Sequence, residues 1–192
     1  MLELESAAPD RPTYLRRPDL GRQLSARSWQ VLGDAQAPSC DVLCVVGDGL
    51  SATAVHRNAV ALLVELRPRL ATAGLQCGPI VLAHQARVAI GDPIGEALNA
   101  RSVLVLIGER PGLSSPDSLG AYFTWAPRPG LADSQRNCVS NIRAQGLCAA
   151  DAADKLVWLM AAARRLGASG VALKDESSDA SGLVVSSSSS TA

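Results

Sequence analysis

The glycine pair at positions 47 and 49 is the first feature with recognisable chemistry. Gly47-Asp48-Gly49-Leu50-Ser51-Ala52 follows an apolar run and fits the pattern G-x-G-x-x-A. In dinucleotide-binding proteins such glycines form a tight turn at a helix N-terminus, where backbone N–H groups hold a pyrophosphate. The stretch therefore has two interpretations, a cofactor loop or a generic turn between a strand and a helix.

A nicotinamide site also needs a carboxylate at the end of the second strand, where it binds the ribose hydroxyls. That strand ends here in His84 and Gln85, and Glu65 falls in the middle of the preceding predicted helix. Because the acid is missing where the geometry requires it, the sequence favours the generic turn.

Hydrolase and phosphate-loop chemistry has weaker support. The chain contains no G-x-S-x-G elbow and no Gly-Lys-Ser/Thr. The two histidines, His56 and His84, have no nucleophile and acid placed beside them, so a catalytic triad is not indicated.

Glu109 is the carboxylate with the clearest position. It ends an apolar run and is followed by Arg110 and Pro111. A carboxylate at the carboxyl end of a buried strand lines the ligand crevice of an α/β sheet, where it can accept hydrogen bonds from amides or hydroxyls. A local ion pair with Arg110 that only shapes the loop explains the same residues equally well.

Cysteines and charges exclude several classes of protein. The five cysteines form no C-x-x-C pair, so no metal site is expected, and Cys40, Cys44 and Cys77 are predicted to be small core residues. Basic and acidic residues balance at 18 each, which argues against nucleic-acid binding. With no long apolar span and no signal peptide, we expect no membrane contact and a reduced, intracellular location.

The elements that must position these residues alternate between strands and helices. Apolar runs predict strands, and helical periodicity predicts helices. The predicted strands are 40–48, 78–90, 101–109, 121–128 and a last short one at 170–175. The predicted helices are one within 14–32, then 51–74, 92–100 and 149–167, and the segment 129–148 is predicted to be mostly loop. Pro68 is expected to kink the helix 51–74 or to end it early.

This alternation predicts an α/β fold, an open, mostly parallel, Rossmann-like sheet with helices on both faces. Ligands of such sheets bind beyond the carboxyl ends of the strands. Three loops, 47–53, 109–119 and 129–141, are expected at that edge. For the domain organisation we expect a flexible segment at 1–13, a single α/β domain at 14–176 and a disordered Ser-rich tail at 177–192.

Five motifs in order, distributed over about residues 9–176, resemble one family. They are "YLRRPDLGR" (14–22), "VVGDGLSATAV" (45–55), "ARVAIGDPIGE" (86–96), "LIGERPGLSSPDSLGAYF" (106–123) and "RNCVSNIR" (136–143). Together they are similar to the small (light) subunit of ethanolamine ammonia-lyase, an adenosylcobalamin-dependent enzyme. Members of that family carry a further N-terminal helical region, so we expect this chain to correspond to a shortened core.

The resemblance implies radical deamination of ethanolamine to acetaldehyde and ammonia by a heteromeric lyase that is inactive as this subunit alone. Adenosylcobalamin would be shared with a large, barrel-shaped subunit, in the bacterial cytoplasm and within a microcompartment. By motif match, the cofactor-binding positions are Val88, Glu109 and Cys138. The D-x-H-x-x-G motif that would supply a histidine to cobalt does not occur, so the cofactor is expected base-on, with no metal ligand and no catalytic residue from this chain.

On this interpretation, Gly47, Gly49 and the helix start at Ser51 face the nucleotide end of cobalamin, and "GERPG" and "RNCVSN" converge on the same sheet edge. The alternative is a truncated, non-catalytic α/β module that docks on the large subunit or stands alone. A stand-alone nicotinamide enzyme is the third hypothesis, and the missing acid argues against it.

Overall fold

The computed structural model of the protein describes residues 1–35, 37–108 and 115–173. The chain builds one six-stranded sheet in the order β1-β3-β2-β4-β5-β6. The strands are β1 (Leu2–Glu5), β2 (Cys40–Gly47), β3 (Cys77–His84), β4 (Ala100–Gly108), β5 (Leu119–Trp125) and β6 (Arg136–Ile142). The helices are α1 (Arg11–Arg16), α2 (Ala26–Asp34), α3 (Ala52–Thr72), α4 (Gly91–Ala97) and α5 (Ala149–Leu166).

The predicted α/β fold is confirmed, and among the described strands three pairings are parallel and two are antiparallel. Strands β1, β3, β2 and β4 run parallel to one another. Strand β5 runs antiparallel to β4, and β6 antiparallel to β5. As a result, the carboxyl ends of β2, β3 and β4 meet at one edge, together with the amino end of β5 at Leu119.

Helices cover both faces of the sheet, as predicted. On one face α3 and α5 bury a leucine-rich and alanine-rich core that includes Leu62, Leu66 and Leu156. On the other face α2 and α4 pack against the same sheet through residues such as Leu32, Ile94 and Val105. Each fully buried leucine or isoleucine contributes about 1.5–3 kcal/mol to folding, so the two cores hold the strand ends in fixed positions.

Two edge strands were not predicted. The segment 1–13, expected to be flexible, contains β1 and the first residues of α1. The segment 129–148, expected to be mostly loop, contains β6. Both strands lie at sheet edges, and β6 buries only Arg136, Val139 and Ile142. An edge strand covered on one face has too few apolar residues to stand out in the sequence.

Three element boundaries also differ from prediction. Helix α3 continues through Pro68 to Thr72, so the proline does not end it early. Strand β3 stops at His84, and Val88–Ile90 form a 3₁₀ turn instead of a strand extension. At the expected last strand, Gly170–Ala172 also form a 3₁₀ turn, because Gly170 has a φ of +72° and its N–H donates to the Asn137 side chain at 2.7 Å.

Candidate functional site

The turn after β2 is packed tightly against the end of β4. The N–H groups of Leu50 and Ser51 both donate to the carbonyl of Gly108, at 2.6 and 3.0 Å. The N–H of Gly49 donates to the Asp48 carboxylate at 2.8 Å. Three amides that a phosphate group would need are therefore already used within the protein.

The glycines are needed because two backbone segments approach each other closely. Gly49 has a φ of +59°, and a Cβ there would overlap the Gly108 carbonyl oxygen. A Cβ on Gly108 would in turn overlap the carbonyl of Ser51. The expectation that this turn brings its backbone against a ligand is wrong for these atoms, since the turn meets the chain itself. The dinucleotide interpretation loses its main support for the same reason.

Helix α1 fixes this turn relative to the loop after β3. The Arg11 guanidinium donates to the Gly49 carbonyl at 2.7 Å, and the Tyr14 hydroxyl donates to the Ala86 carbonyl at 2.9 Å. The Asp48 carboxylate also accepts from the Ala86 N–H at 3.1 Å. Residues just beyond Ala86, including the predicted site residue Val88, are thereby held at a defined place.

Glu109, the second predicted site residue, lies outside the described residues. The structure locates only the residue before it, Gly108, at the carboxyl end of β4.

The other two predicted site residues lie together. Val88 and Cys138 line one pocket of about 340 Å³, named here the Val88–Cys138 pocket. Tyr122 contributes an aromatic ring to its lining, and Arg22, Arg87 and Arg136 contribute three cations. One carboxylate, Asp133, also lines the pocket and lies 3.5 Å from the Arg136 Nε. The pocket therefore combines apolar surface with hydrogen-bond donors.

This pocket lies on a face of the sheet, between the segment that follows the carboxyl end of β3 and the middle of β6. Cys138 lies opposite Tyr122, which lies opposite Val105, three residues before β4 ends. The segment "RNCVSN" belongs to β6, whose carboxyl end at Ile142 lies opposite Leu119, at the same edge as Gly108. Because "GERPG" beyond Gly108 lies outside the described residues, the convergence of the two motifs stays a prediction. The loop before β6 lies at the other edge, where the Ala126 N–H donates to the carbonyl of Arg101 near the start of β4.

The pocket exists because β5 and β6 are covered unequally. On one face Phe123 and Val139 are buried against α5. On the opposite face Tyr122 is half-buried, and Cys138 and Ser140 are exposed. Because helices cover the rest of the sheet, this exposed face of β5 and β6 leaves room for a ligand or a partner.

A buried ion pair that the sequence does not reveal closes one side of the pocket. Arg136 at the start of β6 donates to both carboxylate oxygens of Asp92 in α4, at 2.6 and 2.7 Å. It also donates to the Thr124 hydroxyl and the Leu131 carbonyl, both at 3.1 Å. The two partners are separated by 44 positions in the chain, so only the fold brings them together.

The cysteines and histidines have the following environments. Cys40 and Cys44 are buried and free, in agreement with their predicted core role, and Cys77 is half-buried. His84 is within 2.7 Å of the Glu3 carboxylate, and both it and His56 are exposed. Among the described residues, no three histidine, cysteine or acidic side chains are grouped to hold a metal ion. No helix in the described ranges is long and apolar enough to cross a membrane.

Comparison with known proteins gives a consistent set of relatives. Residues 1–174 match the model of the family described as ethanolamine ammonia-lyase light chain (EutC). The ethanolamine ammonia-lyase small subunit of Ralstonia nicotianae is 56% identical over 91% of this chain and 66% of its own length. The proteins of the same name from Bradyrhizobium diazoefficiens and Rhodopseudomonas palustris are 55% and 57% identical, over 92% and 91% of this chain and 68% and 67% of their own lengths.

The chain spans about two thirds of the length of the curated relatives it matches, and 61% of the one from Pseudomonas syringae. The family match begins at residue 1 and includes β1, earlier in the chain than the motifs that carry the resemblance. Because the family model covers residues 1–174 and these relatives are more than half identical, the chain belongs to the ethanolamine ammonia-lyase light chain family.

Proposed function

We propose that this chain acts as the small subunit of an ethanolamine ammonia-lyase and helps to bind adenosylcobalamin. The observation that carries the proposal is the Val88–Cys138 pocket, which joins two motif-matched residues that are 50 positions apart in the sequence. Family membership and the names of the relatives support the same assignment.

The residues of the pocket fit a corrinoid chemically. Such a cofactor has a broad apolar ring with amide groups around its rim. Val88 and Tyr122 offer apolar and aromatic contact, while Arg22 and Arg87 offer hydrogen-bond donors for carbonyl oxygens. The exposed Cys138 adds a small polarizable surface. When bound, adenosylcobalamin supplies the radical chemistry that converts ethanolamine to acetaldehyde and ammonia. The role of the described residues of this chain is to bind and orient that cofactor.

The pocket holds only part of such a cofactor, because its volume is about 340 Å³ and its strand face is exposed. We therefore propose that a large, barrel-shaped subunit completes the site and shares the cofactor. The base-on form, a contribution of Glu109, and a location in the bacterial cytoplasm within a microcompartment are further parts of this proposal.

Co-expression with a large subunit from a relative tests the assignment. The expected result is a complex that retains adenosylcobalamin through size-exclusion chromatography and releases ammonia from ethanolamine. A Cys138→Trp substitution should fill the pocket and lower cofactor retention. Val60→Trp, at an exposed position of α3 on the other face of the sheet, is the matched control and should leave retention unchanged.

Two outcomes would contradict the proposal. A complex that forms but retains no corrinoid would identify a docking module instead of a cofactor-binding subunit. Equal effects of Cys138→Trp and Val60→Trp on retention would move the cofactor contact away from this pocket.

A further inference from the structure

The side chain of Arg87 lines the Val88–Cys138 pocket and is held in place. Its guanidinium carbon lies 4.4 Å from the centroid of the fully buried Tyr14 ring. Its backbone N–H donates to the Gly21 carbonyl at 2.7 Å. A Cβ on Gly21 would come within 2.8 Å of the Arg87 Cγ, so a glycine is needed beside this side chain. Stacking on an aromatic ring reduces the freedom that an arginine loses on binding.

The charge of Arg87 is not neutralised by the described residues. Arg136 is paired with Asp92 and with the pocket's one carboxylate, Asp133. Arg87 donates to the Tyr14 carbonyl at 3.5 Å, and neither it nor Arg22 has a carboxylate within ion-pair distance in the described ranges. The Arg87 Nε is buried and has no hydrogen-bond partner among those residues. A buried donor without an acceptor is unfavourable, and functional sites are where such donors are tolerated.

These contacts leave two cations without a carboxylate partner among the residues that line the pocket, Arg87 held by Tyr14 and Arg22 exposed. Arginine is suited to an anionic acceptor, because its guanidinium group can donate two parallel hydrogen bonds to two oxygens of a carboxylate or a phosphate. An amide carbonyl would satisfy one donor and would leave both positive charges uncompensated. An anionic ligand group satisfies the donors and the charge together.

We infer that Arg87, assisted by Arg22, forms a phosphate subsite in the Val88–Cys138 pocket. The inference rests on the proposed function, and under it the group bound is the phosphodiester that links the corrin ring to its nucleotide base. Free inorganic phosphate has the same chemistry, so the subsite should also take phosphate when the cofactor is absent. Arg87 is then a residue that selects complete cobalamins over corrinoids without the nucleotide.

The test compares cobalamin with cobinamide, which has the corrin ring and its amides but no phosphodiester or base. Retention of each is measured by absorbance on the complex of the full chain with a large subunit, in phosphate-free buffer. The unmodified complex should prefer cobalamin. Arg87→Gln should weaken cobalamin binding about 10- to 100-fold and change cobinamide binding little. Added inorganic phosphate should compete with cobalamin and not with cobinamide.

Two further variants keep the test independent of folding. Arg22→Gln changes an exposed side chain, and it should lower the preference for cobalamin by a smaller factor, about threefold. Arg165→Gln changes an exposed arginine in the last turn of α5, the helix on the other face of the sheet, and should have no effect.

The outcomes separate this inference from the proposed function. Equal retention of cobalamin and cobinamide by the unmodified complex, or an unchanged preference in both Arg87→Gln and Arg22→Gln, overturns the phosphate subsite while the cofactor role stands. Failure to retain either corrinoid overturns the proposed function, and the subsite with it.

Discussion

Asp92 and Arg136 form a bidentate ion pair, at 2.6 and 2.7 Å, between α4 and β6. Their side chains are 2% and 3% exposed. The pair ties the helix that follows Val88 to the strand that carries Cys138. It therefore sets the distance between two walls of the proposed cofactor site.

Breaking this pair on one side should destabilise the fold strongly. Arg136→Met leaves the Asp92 carboxylate buried without its partner, which costs about 3–5 kcal/mol in the free energy of unfolding. Combining it with Asp92→Leu removes both charges and should recover most of that loss. Urea denaturation of the two single variants and the double variant measures the effect. A loss of less than about 1 kcal/mol in the free energy of unfolding of the single variants is what an exposed ion pair would give, and it would contradict the buried geometry.

Gly49→Ala should lower the free energy of unfolding more than the same substitution at another glycine in a left-handed conformation. Gly74 has a similar φ, +66°, but a Cβ there meets nothing within 4 Å, so Gly74→Ala should lose only about 1 kcal/mol. At Gly49 the Cβ would also overlap the Gly108 carbonyl, which adds about 1–3 kcal/mol. Thermal unfolding of both variants gives the comparison. Equal losses would mean that the turn can move away from β4.

Cys77 should react as a thiolate near neutral pH. The hydrogen bond from the Cys44 thiol, with a further contribution from the Arg67 charge, lowers the pKa of Cys77 to about 7. In a variant without the exposed thiols, Cys138→Ser/Cys148→Ser, alkylation of Cys77 by iodoacetamide should reach half its maximal rate close to pH 7.

Cys44→Ala is the control for that measurement. It removes the hydrogen bond, so the midpoint of alkylation should move upward toward the ordinary thiol pKa of 9.0. A midpoint near 9 in the presence of Cys44 would show that the two thiols do not interact.

The parts of the fold that sequence predicts are those with a strong local pattern. The apolar run of β2 and the leucine spacing of α3 predict their elements closely, because burial on both sides or along one face determines the residue types. Strands β1 and β6 were missed since each lies at an edge of the sheet, where fewer positions need to be apolar.

The candidate site depends mostly on contacts that are distant in sequence. The glycines at 47 and 49 suggested a ligand loop, but the partner that requires the turn is Gly108, some 60 residues later. The ion pair between Asp92 and Arg136 has no local signature for the same reason. Val88 and Cys138 were singled out only through the family resemblance, and it is the pairing of β5 with β6 that brings them to one pocket.

Protection of Cys138 by bound adenosylcobalamin tests directly whether the Val88–Cys138 pocket holds the cofactor. The complex of this chain with a large subunit is treated with a maleimide, with and without adenosylcobalamin, and labelling of each cysteine is followed by peptide mass spectrometry. If the pocket holds the cofactor, bound cofactor should slow labelling of Cys138 at least about tenfold and leave labelling of the exposed Cys148 unchanged. Equal labelling of Cys138 with and without bound cofactor would contradict it.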